Sequence, residues 1–244
     1  IKSNNINVII NCAAYTAVDK AEEQKDVANA INHLAVANFA QIAKDKNIKL
    51  IHISTDYVFD GTNHKPYVET DTPNPKSVYG QTKLNGELAM QQINPANSII
   101  IRTSWVYSKF GNNFVKTMLR LAETRDEISV VGDQIGSPTN AADLAKAILN
   151  ILPKISNDTV ELFHYSNEGI CSWYDFAKQI FELKNLASNV KPIGSSQYPT
   201  PAKRPFYSVL NKSLFKATYG IEISYWRDPL VSCLRKIELL KKSI

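Results

Sequence analysis

Leu50-Ile51-His52-Ile53-Ser54-Thr55-Asp56-Tyr57 begins as an apolar run broken by one histidine and ends on two hydroxyls and a carboxylate. A run without polar alternation reads as a strand covered on both faces. On its N-terminal side, Asp26 to Lys44 carries Val27, Ala30, Ile31, Leu34, Ala35, Phe39 and Ile42 at helical spacing. On its C-terminal side, Tyr79 to Gln92 reads as a helix that Pro95 closes. The alternation continues outward. Val8 to Ile10, Ile99 to Ile101, Ile128 to Val131 and Leu162 to Tyr165 read as strands, and Phe114 to Thr124 and Ala141 to Leu152 as helices. Apolar strands separated by amphipathic helices imply a parallel sheet with helices on both faces. Right-handed crossovers make it a doubly wound α/β sheet of Rossmann type, in which ligands sit at the carboxyl ends of the strands.

After about Ser172 the texture changes. Ser172 and Asp175 are placed to cap a helix through Phe181. A proline-rich loop follows from Gln197 to Pro205, and a last helix is expected over about Arg227 to Lys242. The expected organisation is a sheet domain over 1–168, with 126–138 contributing to the substrate side, and a smaller C-terminal lobe over 169–244. The chain starts at Ile1 and enters a buried-type strand almost at once. The expectation is therefore that the first βαβ unit of the sheet is not included.

Composition narrows the function classes. The chain has 244 residues, 44% of them hydrophobic, which is enough for one large core with an attached lobe. A net charge of +5 suits an anionic ligand, but the charges are too few and too evenly spread for a nucleic-acid-binding protein. Three cysteines without a Cys-x-x-Cys pair exclude a disulfide framework. Cys12 reads as a small buried thiol in an apolar strand. The four histidines show no ligand spacing, so no metal site is expected. No run is long enough for a membrane span and no signal peptide is visible, so a soluble cytoplasmic protein without a membrane partner is expected.

Thr55 falls just beyond a strand, where a ligand belongs in this architecture. Tyr79 and Lys83 lie four residues apart at the start of the next helix and share a face. An ammonium near a phenol stabilises the phenolate and lowers its pKa, making Tyr79 a candidate proton donor. Lys83 can also hold a ribose hydroxyl, and Thr55 can polarise the same carbonyl oxygen. Tyr174 and Lys178 repeat the spacing, but no hydroxyl-bearing strand end precedes them, so they read as core tyrosine and solvated lysine.

Asn11-Cys12-Ala13-Ala14-Tyr15-Thr16-Ala17-Val18-Asp19-Lys20-Ala21-Glu22, the Ser54 to Gly61 run and the Val78 to Lys83 run together resemble the extended short-chain dehydrogenase/reductases. Within them the likeness is to the dTDP-4-dehydrorhamnose reductase family. Arg102 to Tyr107, Gly111 to Phe114, Asp133 to Thr139 and Tyr198 to Pro205 agree in order, so the resemblance spans nearly the whole chain. It implies NADPH-dependent reduction of the 4-keto group of dTDP-4-dehydro-L-rhamnose, a dTDP-linked 4-keto-6-deoxyhexose, to dTDP-L-rhamnose. NADH is an alternative cofactor, and Mg2+ and a homodimer are implied only as family traits. The resemblance makes Thr55, Tyr79 and Lys83 the catalytic trio. It places Ala13, Ala14 and Tyr15 on the cofactor with Tyr79 and Lys83, and Trp105, Asn112, Gln134, Thr139 and Arg204 on the substrate. Arg204 is the expected diphosphate partner, because a guanidinium fork matches phosphate oxygens. Trp105 reads equally well as core, and Asn112 and Gln134 as loop-backbone partners.

One departure stands out. The sequence contains no G-x-x-G-x-x-G turn, so nothing in it reads as a pyrophosphate cradle. Related dehydratases place a glutamate after the aspartate that follows the strand-end threonine. Here Asp56 is followed by Tyr57, which favours reduction over dehydration. A non-catalytic subunit, a nucleotide-sugar-binding module and an epimerase on the same scaffold stay open at this level, because fold does not fix function.

Overall fold

The protein is described by a computed structural model covering residues 4–241. The N-terminal half contains strand β1 (Val8–Asn11), helices α1 (Val18–Ala21), α2 (Lys25–Asn29) and α3 (Ala35–Lys46), then β2 (Lys49–Thr55), α4 (Val78–Ile93) and β3 (Ser98–Thr103). Next come β4 (Val106–Tyr107), α5 (Phe114–Ala122), β5 (Glu127–Val131), β6 (Ile135–Gly136), β7 (Thr139–Asn140), α6 (Ala141–Ile151) and β8 (Glu161–His164). The chain finishes with β9 (Cys171–Ser172), α7 (Trp173–Leu183), β10 (Asn189–Ile193), α8 (Ser213–Tyr219) and α9 (Arg227–Lys241).

The central sheet has the order β1-β2-β3-β8, and every pairing in it is parallel. The period-two geometry of strands divides its apolar residues between two faces. Leu50 and Ile100 join Val36, Ala40 and Ala43 of α3 and Met90 of α4. Ile51, Ile99 and Ile101 join Leu144, Ile148 and Ile151 of α6 and Phe215 and Tyr219 of α8. Helices therefore cover both faces, as the apolar strands require.

The structure departs from the sequence reading at three points. Ile128 to Val131 forms a strand, β5, but pairs in parallel with β10 outside the central sheet. Its burial pattern alternates, as a strand covered on one face should, rather than running apolar throughout. The helix expected from Asp26 forms, but Val27, Leu34 and Ile42 are exposed while Ala28, Asn32, Val36, Ala40 and Ala43 are buried. A π turn over Ala30–Leu34 interrupts the helix, and the face turned to the core carries the smaller residues. Cys12 lies just past the end of β1 and is exposed, not buried in the strand.

Side-chain packing crosses the expected 168/169 boundary in both directions. Tyr107, Val115, Met118, Ile128 and Val130 share a core with Phe176, Ile180, Leu230 and Leu234. In the other direction, α8 packs on the central sheet. The second core is thus built from three stretches of chain, with α6 and β8, and later α8, returning to the sheet between them.

Behind the strand ends lies a buried ion pair. Arg102 of β3 forks onto Glu87 of α4, with Nε and Nη2 at 3.0 Å and 2.6 Å from its carboxylate oxygens. Ser54 also donates to Glu87, and the Arg102 guanidinium lies 5.0 Å from the Phe59 ring centre. Both charged residues are almost fully buried, at 3% and 1% exposure, so either one alone would be a desolvated charge without a counterion. Arg102→Met is therefore expected to destabilise the fold by about 3–5 kcal/mol in chemical denaturation, and the double variant Arg102→Met/Glu87→Leu to recover most of that loss.

Candidate active site

The strand-end motif and helix α4 meet through glycine. Ser77 caps α4 by accepting from the Gly80 N–H at 3.1 Å. A Cβ on Gly80 would come within 2.2 Å of the Tyr57 carbonyl oxygen, and one on Gly86 within 2.2 Å of the Asn32 carbonyl oxygen. These two glycines let α4 lie directly against the turn after β2 and against the π turn. Asn32, fully buried there, donates to Thr82 at 3.1 Å and to the Tyr15 carbonyl at 3.2 Å, and accepts from the Tyr15 N–H at 2.8 Å. One amide thus ties the loop after β1 to α4.

This packing brings the three expected catalytic residues to one place. The Thr55 side chain lies close enough to the Tyr79 phenol to lower its pKa. It also donates to Asp56 at 3.1 Å and accepts from the Tyr57 N–H at 3.2 Å. The Tyr79 and Tyr57 rings meet edge to face, with centroids 5.4 Å apart. Lys83 is 1% exposed and donates to the Ile53 carbonyl at 2.6 Å.

The electrostatics differ from the sequence expectation. Burial pushes the Tyr79 phenol up to about 12, against a smaller lowering by Thr55. The Lys83 ammonium does not lower it, because the lysine is turned onto the Ile53 carbonyl and the His52 ring. Burial brings Lys83 down to about 8. Asp56 rises to about 6, again through burial. Tyr79 therefore stays protonated at neutral pH, the form a proton donor needs.

The expected substrate residues divide. Thr103 is the cross-strand neighbour of Thr55, and its hydroxyl lies 3.5 Å from that of Thr139, which joins Thr139 to the trio. The segment carrying Arg204 runs along the Gln134 loop: Ile135 donates to the Phe206 carbonyl at 2.7 Å, and Ser208 donates to the Ile135 carbonyl at 2.8 Å. Ser208 in turn lies close enough to Asp56 to lower its carboxyl pKa. Gln134 itself donates to Ser195 at 2.9 Å. Arg204 forks onto Asp19 of α1 with contacts of 3.0 Å and 2.7 Å, and it interacts electrostatically with Tyr57. Trp105 holds a left-handed backbone at φ 49° and stacks on Trp173 at 3.6 Å, while a Cβ on Gly136 would meet its ring within 2.6 Å. A bulky residue in that conformation is strained, and the ring packs against the second core.

Asn112 is not brought to this cluster. It is exposed and lines a shallow groove with Lys116, Arg120 and Ile237. Ala13 and Ala14 follow the end of β1, with Ala13 exposed and its N–H bonded to Asn11 at 3.2 Å. Among the described residues, no group of three or more His, Cys, Asp or Glu side chains could hold a metal ion, and no helix is long and apolar enough to cross a membrane. The sequence reading missed Asn11, Asn32, His52 and Asp19. His52 carried a signal, since a polar residue inside a buried strand must find a partner.

The family model for the RmlD substrate binding domain matches residues 1–239. A dTDP-4-dehydrorhamnose reductase from Sinorhizobium fredii is 46% identical over 230 residues, covering 91% of this chain and 77% of that protein. The chain belongs to the dTDP-4-dehydrorhamnose reductase family. Solved structures of this family agree. A reductase from Clostridium acetobutylicum superposes with a TM-score of 0.92 at 44% identity, over 97% of this chain and 83% of that one. Another, from Bacillus anthracis and in complex with NADP, gives 0.91 at 40% identity, over 96% and 82%.

The reductase-family helix α4 depends on the missing side chain at position 80. Gly80→Ala is expected to push α4 off the Tyr57 carbonyl, lower stability by about 1–3 kcal/mol and disturb the Tyr79 ring more than Thr55. Thermal unfolding together with NMR of the tyrosine rings would check both outcomes.

Proposed function

We propose that this chain supplies the catalytic and substrate-side residues for NADPH-dependent reduction of dTDP-4-dehydro-L-rhamnose to dTDP-L-rhamnose. The observation that carries this reading is the meeting of the Thr55 hydroxyl and the Tyr79 phenol at the carboxyl end of β2, with Lys83 one helical turn away. The family supports the dTDP-sugar substrate class, and the NADP complex of the Bacillus anthracis relative supports the cofactor.

The residues present fit a nicotinamide nucleotide at the strand ends. Ala13, exposed, and Ala14, half-buried, follow β1, which pairs with β2, and Tyr79 and Lys83 lie on α4 after that strand. When bound, NADPH supplies hydride. Thr55 and Tyr79 hold the sugar's C4 oxygen between two hydroxyls, which polarises the carbonyl and stabilises the negative charge that develops on it. Tyr79 then gives its proton to that oxygen. A phenol raised by burial suits this direction, because it is fully protonated at neutral pH and still far more acidic than the alkoxide it meets. Lys83 orients the ribose of the nucleotide.

On the substrate side, Arg204 is the diphosphate ligand, held at the rim by Asp19. Trp105, Gln134 and Thr139 line the sugar side. Asn112 contributes only if its loop moves toward the strand ends, so its replacement serves as the contrast. Tyr79→Phe is expected to reduce turnover by at least about 100-fold, read as loss of NADPH absorbance, with dTDP affinity unchanged. A chain that binds dTDP but whose turnover ignores this substitution would be a binding module rather than a reductase. Arg204→Ala is expected to raise KM by about ten-fold and leave kcat nearly unchanged, as loss of a charge-assisted contact should; an unmoved KM would remove its diphosphate role.

A further inference from the structure

A chain of polar groups runs behind the catalytic lysine. Asn11, 5% exposed at the end of β1, accepts from the Ala13 N–H through Oδ1 at 3.2 Å. That bond fixes the amide, so its Nδ2 points at His52 Nδ1, 3.1 Å away. Nδ2 is only a donor, so Nδ1 must be the bare, accepting nitrogen of a neutral ring. The ring proton then lies on Nε2, and Nε2 faces Lys83 Nζ at 3.3 Å. An Nε2–H cannot accept from an ammonium, but it can donate to the lone pair of a neutral amine, which in turn donates to the Ile53 carbonyl at 2.6 Å.

We propose that Asn11 and His52 form a positioning pair for Lys83: the Asn11 amide selects the His52 tautomer, and the His52 Nε2–H, which can donate only to a neutral amine, disfavours the ammonium form of the lysine at the end of β2. The proposal deepens the reductase reading above and rests on it for the role of Lys83, while its structural half stands alone. His52 is fully buried and does not become a second cation, since burial and the nearby lysine hold it well below the ordinary histidine range. The other groups facing Lys83 are Glu87 on its own helix and Cys12 beyond β1. Glu87 is already neutralised by Arg102, and Cys12 is an exposed thiol whose pKa is raised. Burial alone lowers the lysine to about 8 against the neighbouring carboxylate, and an opposing N–H acts in the same direction.

Nitrogen-15 NMR of the imidazole in the wild-type protein reads the tautomer without turnover or substitution. The expected result is a proton on Nε2 and a bare Nδ1; a proton on Nδ1 would overturn the proposal. A second arm titrates Lys83 by NMR in Asn11→Asp and Asn11→Leu. Both variants free Nδ1 to carry the proton, so that a bare Nε2 can accept from the ammonium. The Lys83 midpoint should rise by about one pH unit or more in each, and the alkaline limb of kcat/KM should rise with it. An unmoved midpoint in both variants would reduce Asn11 to a structural role and overturn the proposal. A rise in Asn11→Asp alone would be the effect of added charge and would overturn it as well. Should the tautomer and midpoints behave as expected while no turnover is found with any dTDP-4-keto-sugar, the reductase reading fails and the positioning pair survives.

Discussion

The close seating of α4 on the turn that follows β2 is the contact on which the site depends. It is a steric constraint before it is a chemical one. With 2.2 Å between a would-be Cβ of Gly80 and the Tyr57 carbonyl oxygen, any side chain at position 80 would lift the helix. Lifting the helix would move Tyr79, which flanks Gly80, and Lys83, one turn on. Gly86 repeats the device against the π turn, where Asn32 closes the contact with three hydrogen bonds. Two absent side chains and one buried amide therefore hold a phenol and an amine around a strand-end hydroxyl.

The environment so created reverses a simple charge argument. A lysine one turn from a tyrosine was expected to lower the phenol's pKa. In the folded chain the lysine is committed to a backbone carbonyl and an imidazole, and desolvation dominates the phenol. A neutral, protonated tyrosine beside a buried amine is suited to donating a proton rather than to taking one. The buried Arg102–Glu87 pair lies just behind, and its two charges offset each other within the core.

Much of this was legible in the sequence. Apolar strands and intervening helices gave the parallel sheet, and the Thr55, Tyr79 and Lys83 pattern led to residues that the fold brings together. What escaped the sequence was geometry that periodicity cannot carry. The helix turns its small residues Ala28, Val36 and Ala40 to the core and leaves the larger Val27, Leu34 and Ile42 exposed. The strand at Ile128 to Val131 was found, but its partner was Asn189–Ile193, a run containing Lys191 and Pro192 that gave no strand signal. Asp19 was quoted only as part of a motif, because its partner Arg204 lies 185 residues away and charge spacing along the chain says nothing about such pairs. His52 was visible as a polar residue inside an apolar strand, whereas Asn11 fell just past the strand as read, and only coordinates could name their partners.

A crystal structure of the protein with NADP+ and dTDP-L-rhamnose tests the central claim most directly, since the product carries the oxygen on which the proposed chemistry acts. The sugar's C4 hydroxyl is expected within about 3 Å of both Tyr79 Oη and Thr55 Oγ1, with α4 still resting on the Tyr57 carbonyl. A complex in which that hydroxyl lies beyond hydrogen-bonding distance of both side chains would contradict it.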